Sequence, residues 1–333
     1  MNHARLLFLS AALSLSAMLY AADGGFTVEK LSGGGVSVKH NGQPFADYIV
    51  DQANKPYLAP VFGPTGKQMT RNYPMKTVEG EQHDHPHHRG ICFGHESING
   101  FDSWAETATF EEMKANPKNA SKAKERLDAL GSCRHLGVTE LLAEADKAVI
   151  AAVCDYLDAS GKKLCTEIRR MTFRVAGDTR MIDFDQDFSS EGTIVFGDKK
   201  DAGLSIRVPT SMAVDSKQGG KIINSDGITD KDAWSKPAKW VDFHGPVEGE
   251  HLGVAMLNHP SSFRFPTRWH VRTYGLFTAN PFASQQFDKA LPEGSFELKA
   301  GEHLRLRHRF IFHKGDEKAG KIADAWEAYA KEK

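Results

Sequence analysis

Alternating apolar and polar positions dominate most of this chain. In residues 179–189, Ile182, Phe184 and Phe188 share one face and three aspartates share the other, because side chains alternate along a strand with a period of two. Residues 303–313 repeat the pattern, with leucines and phenylalanines on one face and arginines on the other. Both segments are therefore predicted to be strands with one buried face and one face toward solvent.

Further segments with the same alternation follow each other at short intervals. They are residues 147–158, 163–178, 251–260 and 267–277. Short turns rich in Gly, Asp and Pro separate them, including a hairpin turn at 158–161. This organisation predicts an all-β fold, a sandwich of antiparallel sheets. The acidic and basic stripes are interpreted as solvated sheet faces, with a sugar-binding surface as the alternative.

Two segments have helical rather than strand periodicity. Residues 109–130 are a polar, lysine-rich insertion interrupted by Pro117, and the C-terminal segment 319–333 has an apolar stripe at helical spacing. The stripe consists of Ile322, Ala325, Trp326 and Tyr329. No internal repeat or linker divides the remainder, so residues 23–333 are predicted to form a single domain.

The first 22 residues have the features of an export signal. A weakly basic start precedes an apolar stretch and a small-residue end, and cleavage is expected after Ala21 or Ala22. The apolar stretch is shorter than the roughly 20 residues that a membrane-spanning helix needs. The mature protein is therefore expected to be periplasmic or secreted, with no membrane insertion after signal removal.

An oxidising compartment would permit disulfides between the four cysteines of the chain. Cys154 and Cys165 flank the predicted hairpin turn, which would set them opposite one another. Both a bridge between them and buried free thiols are compatible with the sequence, because a cross-strand bridge needs favourable geometry.

The charge balance narrows the class of partner. Lys and Arg total 42 and Asp and Glu total 43, so no long-range field attracts nucleic acid or an anionic membrane. A small-molecule partner is expected instead.

Residues 81–100 contain five of the fifteen histidines, His83, His85, His87, His88 and His95. Pro86 and the flanking glycines predict a loop that enters a strand at residues 89–95. Loops at the rim of a rigid sheet are where binding groups concentrate. The cluster is therefore a candidate functional site.

Three interpretations of the cluster are open. In the first, His83, His85 and His87, with Asp84, bind a divalent metal ion such as zinc. In the second, a histidine transfers a proton near neutral pH while Arg89 holds substrate oxygens. In the third, the histidines satisfy backbone carbonyls and none reacts.

A second polar group lies near residue 270. Strand alternation places Arg268, His270, Arg272 and Tyr274 on one face. Arginine forks suit carboxylates and tyrosine can stack on a ligand or donate to it. His259, in the motif NHPSS, is a further candidate at the rim.

Several long motifs resemble a known group of proteins. They are RNYPM, DHPHHRGICFGHESINGFDSWAE, NSDGITDKDAWSKPAKWVDFHGPVEG, NHPSSFRFPTRWHVRTYGLFTANPF and FELKAGEHLRLRHRFIFHKGD. Together they resemble the secreted bacterial PmoA-like family of uncharacterised proteins over most of residues 55–315. The family name refers to a membrane methane-oxidising enzyme, but methane oxidation is not expected of a chain without apolar spans after its signal.

The resemblance also implies a fold and a class of ligand. The family is distantly similar to galactose-mutarotase-like β-supersandwich proteins, which mostly process or bind sugars with histidines and a carboxylate on a concave sheet. Fold alone does not fix function. The implied ligand is a carbohydrate or a sugar-derived molecule.

The polar residues and the resemblance together imply a carbohydrate-processing enzyme that catalyses hydrolysis, elimination or epimerisation of a sugar-derived substrate by acid/base or metal-assisted chemistry. The residues assigned to proton transfer are His85, His87, His88, His95, His270, Asp102 and Glu106. The residues assigned to substrate binding are Arg89, Arg268, Arg272, Tyr274 and His259. The alternative is a non-catalytic carbohydrate-binding protein, and a structural protein is a third possibility. The predicted loop of residues 79–88 is called the histidine loop below. The hypothesis requires this loop and the strand around His270 to meet.

Overall fold

Two eight-stranded antiparallel sheets pack face to face in the computed structural model, which describes residues 24–333. The strands of the first sheet lie in the order β1-β2-β3-β4-β5-β11-β16-β15, and those of the second in the order β12-β13-β14-β18-β9-β8-β7-β6. Strands β10 and β17 form a separate pair. The predicted antiparallel β-supersandwich is confirmed, whereas the predicted signal segment lies outside the described residues.

The strands have the following bounds. They are β1 (Phe26–Lys30), β2 (Val36–His40), β3 (Gln43–Ile49), β4 (Tyr57–Val61), β5 (Ile91–His95), β6 (Ser132–Ala143), β7 (Lys147–Leu157), β8 (Lys163–Ala176), β9 (Thr179–Ser189), β10 (Ile194–Phe196), β11 (Ala202–Arg207), β12 (Lys221–Asn224), β13 (Trp240–Val247), β14 (Glu250–Asn258), β15 (Arg268–Arg272), β16 (Leu276–Asn280), β17 (Phe296–Leu298) and β18 (His303–Lys314). The helices are α1 (Thr107–Ala115), α2 (Ala120–Asp128) and α3 (Ile322–Tyr329). Short 3-10 turns are at Thr210–Met212, Val214–Ser216 and Asp230–Ala233.

Aromatic side chains join the two sheets across the core. Phe93 of β5 meets Phe188 of β9 with ring centroids 5.0 Å apart, and Phe277 of β16 stacks on Phe243 of β13 at 4.9 Å. All four rings are buried in one hydrophobic cluster that draws on both sheets. Burial of each such side chain contributes about 1.5–3 kcal/mol, so the inner faces hold the sandwich together and leave the outer faces for polar groups.

The predicted stripes of β9 and β18 neutralise one another. The two strands pair in a register that sets each arginine opposite an aspartate. Arg305 Nε lies 3.0 Å from Asp187 Oδ2, and Arg309 pairs with Asp183. The stripes are therefore a cross-strand ladder of ion pairs, which removes the net charge that a ligand surface would present.

Both predicted helical segments are confirmed. The insertion contains α1 and α2, which are separated around Pro117. The C-terminal helix α3 buries Ile322, Trp326 and Tyr329 against the outer face of the second sheet. No helix in the described part of the chain has the length and apolar character to cross a membrane.

The positions of the cysteines differ from those that a disulfide between Cys154 and Cys165 would need. All four are buried free thiols. The hairpin turn forms at 158–161 as predicted, since Gly161 N–H donates to Asp158 O at 3.0 Å. The strand register, however, pairs Cys154 with Glu167 and Cys165 with Tyr156. The expectation that Cys154 and Cys165 face each other was wrong by two positions.

Candidate functional site

The outer face of the first sheet carries a set of polar side chains. Arg207 of β11 and Arg272 of β15 are both paired with Leu276 of β16, so the two arginines lie in one row across three strands. Ser205 and His270 occupy the next row. The long connection from β4 to β5, residues 62–90, packs against the end of this row and includes the histidine loop.

Arg71 fixes the conformation of that loop. Its side chain is buried, and it donates to the backbone oxygens of Tyr73 at 3.2 Å, Gln82 at 3.2 Å and His85 at 3.1 Å. It also lies 2.5 Å from the Asp84 carboxylate. A planar guanidinium with several donors can hold such a set of acceptors in one geometry, so the histidines are presented by an ordered loop.

Asp84 is shared by two buried arginines. Its Oδ1 accepts from Arg71 and, at 2.7 Å, from Arg207. Its Oδ2 lies 2.7 Å from His85 Nδ1. Burial opposes ionisation of Asp84, but these hydrogen bonds and charges outweigh it and hold its pKa well below the usual range. Two guanidinium groups share one carboxylate, which leaves the surroundings positively charged.

His88 is a neutral imidazole with a defined tautomer. Its Nδ1 lies 3.3 Å from Arg207 Nη1, and because a guanidinium only donates, Nδ1 accepts and the ring proton is on Nε2. Burial, together with His87 and Arg207, holds the pKa of His88 well below its usual value. Within the described residues, Nε2 of His88 makes no hydrogen bond although the side chain is only 4% exposed, so its N–H is an unpaired donor.

His87 is also held through its Nδ1 atom, by a hydroxyl group. Its Nδ1 lies 3.0 Å from Thr109 Oγ1, which in turn accepts from the Glu106 backbone N–H at 3.0 Å. Burial and the charge of Lys55 hold the pKa of His87 well below its usual value. The ring meets His88 edge to face at a centroid separation of 4.3 Å. Two adjacent neutral imidazoles thus have Nδ1 anchored to the protein.

His85 and Tyr274 form an aromatic surface beside them. The His85 ring stacks on His88 and on Tyr274, in each case with centroids 4.8 Å apart. The Arg207 guanidinium lies 4.6 Å from the Tyr274 centroid and that of Arg272 lies 5.4 Å from it. Burial raises the pKa of Tyr274 to about 12. Tyr274 follows β15, so the turn between β15 and β16 reaches the histidine loop.

Arg89 and Glu106 form a closed ion pair beside this group. Arg89 donates Nε to Glu106 Oε1 at 2.9 Å and Nη2 to Oε2 at 2.8 Å, and the buried Lys55 ammonium adds a contact at 3.3 Å. Burial opposes ionisation of Glu106, but Lys55 and Arg89 lower its pKa. Lys55 also donates to Trp104 O at 2.7 Å, and Trp104 packs edge-on against His88. Arg89 and Glu106 therefore bind each other in this structure, and their predicted roles in substrate binding and proton transfer stay predictions.

Asp102 holds the backbone of the turn that contains Trp104, and its predicted role in proton transfer stays a prediction. Its Oδ1 accepts the backbone N–H groups of Trp104 at 2.8 Å and Ala105 at 2.9 Å, and its Oδ2 accepts from Arg126 at 2.6 Å. At Gly94, a Cβ atom would come within 2.9 Å of Trp104 Cα. The turn that Asp102 stabilises therefore packs directly against the first sheet and places Trp104 next to His88.

His95 lies in the core, contrary to the expectation that it joins the other histidines. Its side chain is fully buried and contacts the rings of Phe196 and Phe282. Burial lowers its pKa to about 3. The alternation of β5 explains the difference, because Ile91, Phe93 and His95 all point inward.

The strand around His270 reaches the loop only in part. His270 Nδ1 donates to Lys200 O at 2.6 Å, and burial lowers its pKa to about 4. Arg268 donates to Ser235 O at 2.9 Å, at the end of the strand far from Tyr274. Arg272, in contrast, is exposed and lies on Tyr274. Of the four predicted residues, Arg272 and Tyr274 join the histidines and His270 lies one row away.

His259 is not part of this group. Its Nε2 lies 3.0 Å from Glu332 O and its ring packs against Tyr329 of α3. It therefore lies on the outer face of the second sheet. To bind a substrate together with the histidine loop, His259 would have to lie on the outer face of the first sheet.

The loop does not assemble the metal ligands expected from the sequence. His83 stacks on Tyr73 at 4.8 Å, whereas His85 Nδ1 binds Asp84 and His87 Nδ1 binds Thr109. Within residues 24–333, the group of His, Cys, Asp and Glu with ligand atoms all within 4.8 Å is Asp242, His244 and Glu317. The metal candidate is thus on the second sheet.

Sequence reasoning missed the two buried arginines, Arg71 and Arg207. A charge at the end of the otherwise uncharged strand GLSIR was a signal for Arg207, since a buried charge requires partners. Arg71 occurs in an ordinary loop motif, and its partners become visible only in the fold.

The fold and site define an antiparallel β-sandwich protein with a largely buried group of histidines and arginines on the outer side of its first sheet. The chain belongs to a family of unknown function, DUF6807, whose profile matches residues 35–327. The more specific resemblance to the PmoA-like family stays a prediction. A search of curated proteins found no match.

Solved structures of sugar-active proteins are similar to this chain at low identity. A galactose mutarotase related enzyme from Lactobacillus acidophilus is 10% identical, covers 87% of this chain and 97% of its own, and gives a TM-score of 0.35. A GH36 alpha-galactosidase from Geobacillus stearothermophilus is 11% identical, covers 88% of this chain and 41% of its own, with a TM-score of 0.37. A galactose 1-epimerase from Lactobacillus acidophilus NCFM is 9% identical, covers 88% and 99%, and gives 0.34.

Proposed function

We propose that the protein is a carbohydrate-processing enzyme that acts on a sugar carrying a carboxylate. The site is the patch formed by His85, His87, His88, Arg207 and Tyr274. The observation that carries the proposal is the pair of neutral imidazoles, His87 and His88, anchored through Nδ1 beside an excess of guanidinium charge.

The charge of the patch favours an anionic substrate. Arg71 and Arg207 share the single carboxylate of Asp84, and the exposed Arg272 lies nearby on Tyr274. Guanidinium groups match carboxylates in shape and charge. A uronic acid or a similar acidic sugar therefore fits this patch better than a neutral sugar does.

The aromatic surface supplies the contact for a sugar ring. Tyr274 and His85 are stacked and near-parallel, at an interplanar angle of 17°. Ligand sites combine apolar or aromatic surfaces with a few placed polar groups. The apolar side of a sugar ring would pack on this surface while the arginines bind its carboxylate.

The chemistry that fits these groups is removal of a proton from the carbon next to the carboxylate. If Nδ1 of His87 donates to Thr109, its Nε2 has a lone pair and acts as the base, while His88 Nε2–H donates to a substrate oxygen. A bound anion raises the pKa of a nearby histidine, which suits His87 to accept the proton. The arginines stabilise the negative charge that develops. Return of a proton from water to the opposite face of the same carbon gives epimerisation, whereas cleavage of the C–O bond on the adjacent carbon, with the His88 Nε2 proton passing to the leaving oxygen, gives elimination.

Hydrolysis by a pair of carboxyl groups is less well supported. That mechanism needs one carboxylic acid and one free carboxylate on either side of the glycosidic bond. Asp84 and Glu106 are both bonded to arginines, which keeps both ionised. The alternative of a non-catalytic carbohydrate-binding protein uses the same aromatic surface and is separated by the test below.

The test uses acidic oligosaccharides in heavy water. NMR should show deuterium at the carbon next to the carboxylate, or ultraviolet absorbance should reveal a new C=C bond. His87→Gln should lower the rate on the order of a hundredfold or more, whereas the matched control His83→Gln should not. Binding without exchange or product would contradict catalysis and support the binding protein, and equal loss in both variants would contradict the role of His87.

We further propose that the protein works in the periplasm or outside the cell, on the basis of the predicted signal in residues 1–22. Fractionation of expressing cells combined with N-terminal sequencing would test this. A mature chain that begins at Ala22 or Asp23 is expected, and an intact cytoplasmic chain would contradict the proposal.

A further inference from the structure

A second cluster of chemically capable side chains lies on the outer face of the second sheet. Asp242 and His244 are two residues apart on β13 and project to the same face, while Glu317 comes from the turn before α3. Asp242 is fully buried and His244 nearly so. The cluster is independent of the site on the first sheet and of the function proposed for it.

The separations of the three groups match a metal site. His244 Nδ1 lies 2.8 Å from Asp242 Oδ1 and 3.9 Å from Glu317 Oε2. Ligand atoms bound to one zinc ion at about 2.0–2.2 Å are roughly 3 to 3.5 Å from each other. An ion that replaces the proton on His244 Nδ1 therefore requires shifts on the order of 0.5 Å.

A further histidine orients the carboxylate. His313 of β18 lies with Nε2 2.7 Å from Asp242 Oδ2. A Cβ atom at Gly253 would overlap this imidazole, and one at Gly320 would come within 2.5 Å of its Nδ1. Two glycines thus make room for a ring that holds Asp242 in place, the kind of outer hydrogen bond that fixes ligands in metal sites.

We propose that Asp242, His244 and Glu317 bind one divalent transition-metal ion of the zinc class, which fastens the segment before α3 to the second sheet. One imidazole and two carboxylates suit zinc-class ions, whereas calcium and magnesium prefer oxygen ligands alone. Glu317 also lines a hollow of about 390 Å³ together with Trp240 and Lys321. Of the three proposed ligands, Glu317 alone borders this hollow, so solvent reaches the site on the Glu317 side.

The experiment uses the mature chain purified without an affinity tag and stripped with a chelator. Titration with Zn²⁺ should give one equivalent, with a rise in Tm because an ion bound to the native state alone stabilises it. Co²⁺ should give the visible absorption of a four- or five-coordinate site. Both signals should disappear in His244→Gln, and Glu317→Gln should weaken Zn²⁺ affinity by at least about tenfold.

Variants of the histidine loop separate this site from adventitious binding. His83→Gln combined with His85→Gln should leave the Co²⁺ spectrum and the Tm shift unchanged. Loss of the spectrum in the loop variant but not in His244→Gln would overturn the proposal, as would the absence of any Zn²⁺ binding to the folded wild-type chain. Glu317 lies in the turn before α3 and its side chain is 14% exposed, more than that of His244, so Glu317→Gln keeps the test valid even if His244→Gln fails to fold.

Discussion

Tyr274 stacks on His85, with ring centroids 4.8 Å apart and an interplanar angle of 17°. Tyr274 follows β15 and His85 belongs to the connection before β5, so the two are remote in sequence. Their contact joins the turn between β15 and β16 to the histidine loop. The candidate site therefore depends on long-range folding of the first sheet.

The Tyr274 ring should contribute to ligand binding through its surface. Tyr274→Ala is expected to weaken binding of an acidic oligosaccharide roughly two- to tenfold, because aromatic contacts contribute on the order of 0.5–1.5 kcal/mol beyond burial. Tyr274→Phe keeps the ring and should bind nearly as well. Calorimetric titration measures both, with Tyr73→Phe as a control at the neighbouring stack with His83. Equal affinity of the alanine variant and the wild type would show that Tyr274 does not touch the ligand.

Arg71 should be important for stability. Arg71→Met removes a buried guanidinium that serves Asp84 and three backbone oxygens, and breaking a buried pair in this way costs about 3–5 kcal/mol. Urea unfolding followed by fluorescence gives the change in the free energy of unfolding. The matched control is Arg272→Met, an exposed arginine on the same face, which should change that free energy by less than about 0.5 kcal/mol. Similar changes in the free energy of unfolding for the two variants would contradict the role of Arg71 in fixing the conformation of the loop.

The protein should lose stability as the pH falls below the usual histidine pKa. Burial lowers the pKa of His95 and of His308 from 6.5 to about 3. Between these values the unfolded chain takes up protons that the native state does not, so each histidine reduces stability by about 1.4 kcal/mol per pH unit as the pH falls. Urea unfolding across this range measures the slope.

Two variants test whether buried histidines cause this dependence of stability on pH. His308→Gln removes one such histidine and should reduce the pH dependence by about 1.4 kcal/mol per unit within the window. His303→Gln changes a half-exposed surface histidine and should leave most of the dependence in place. A slope that does not respond to His308→Gln would refute this explanation.

Cys154 and Cys165 should remain unlinked to each other even in exported protein. Their side chains are offset by two positions in the register of β7 and β8, and a bridge needs closely facing Cβ atoms. Alkylation under denaturing, non-reducing conditions followed by peptide mass analysis would show each cysteine modified separately. A linked peptide containing both residues would contradict the register.

The strands could be predicted because their side-chain pattern is local. The alternation in residues 179–189 and 303–313 fixed which faces of β9 and β18 are buried. The same rule, applied from Ile91 and Phe93, would have placed His95 in the core. The alternation of β5 thus predicts a buried His95, whereas its closeness in sequence to the other histidines suggested a place in the cluster.

The arrangement of the site depends on contacts that no local pattern encodes. Arg71 and Arg207 meet at Asp84 only because the loop and β11 pack together. The carboxylates of Glu106 and Asp102, both candidate acids, are bonded to Arg89 and to backbone N–H groups. Residue types alone do not distinguish a free carboxylate from one bonded to an arginine.

The most direct test of the account is a double-mutant cycle for ligand affinity between His88 and Arg272, using His88→Gln, Arg272→Met and the double variant with an acidic oligosaccharide. If one ligand contacts both regions, the effects should couple by at least about 0.5 kcal/mol. Strictly additive effects, or no effect of either change, would show that the loop and the strand do not form a common site.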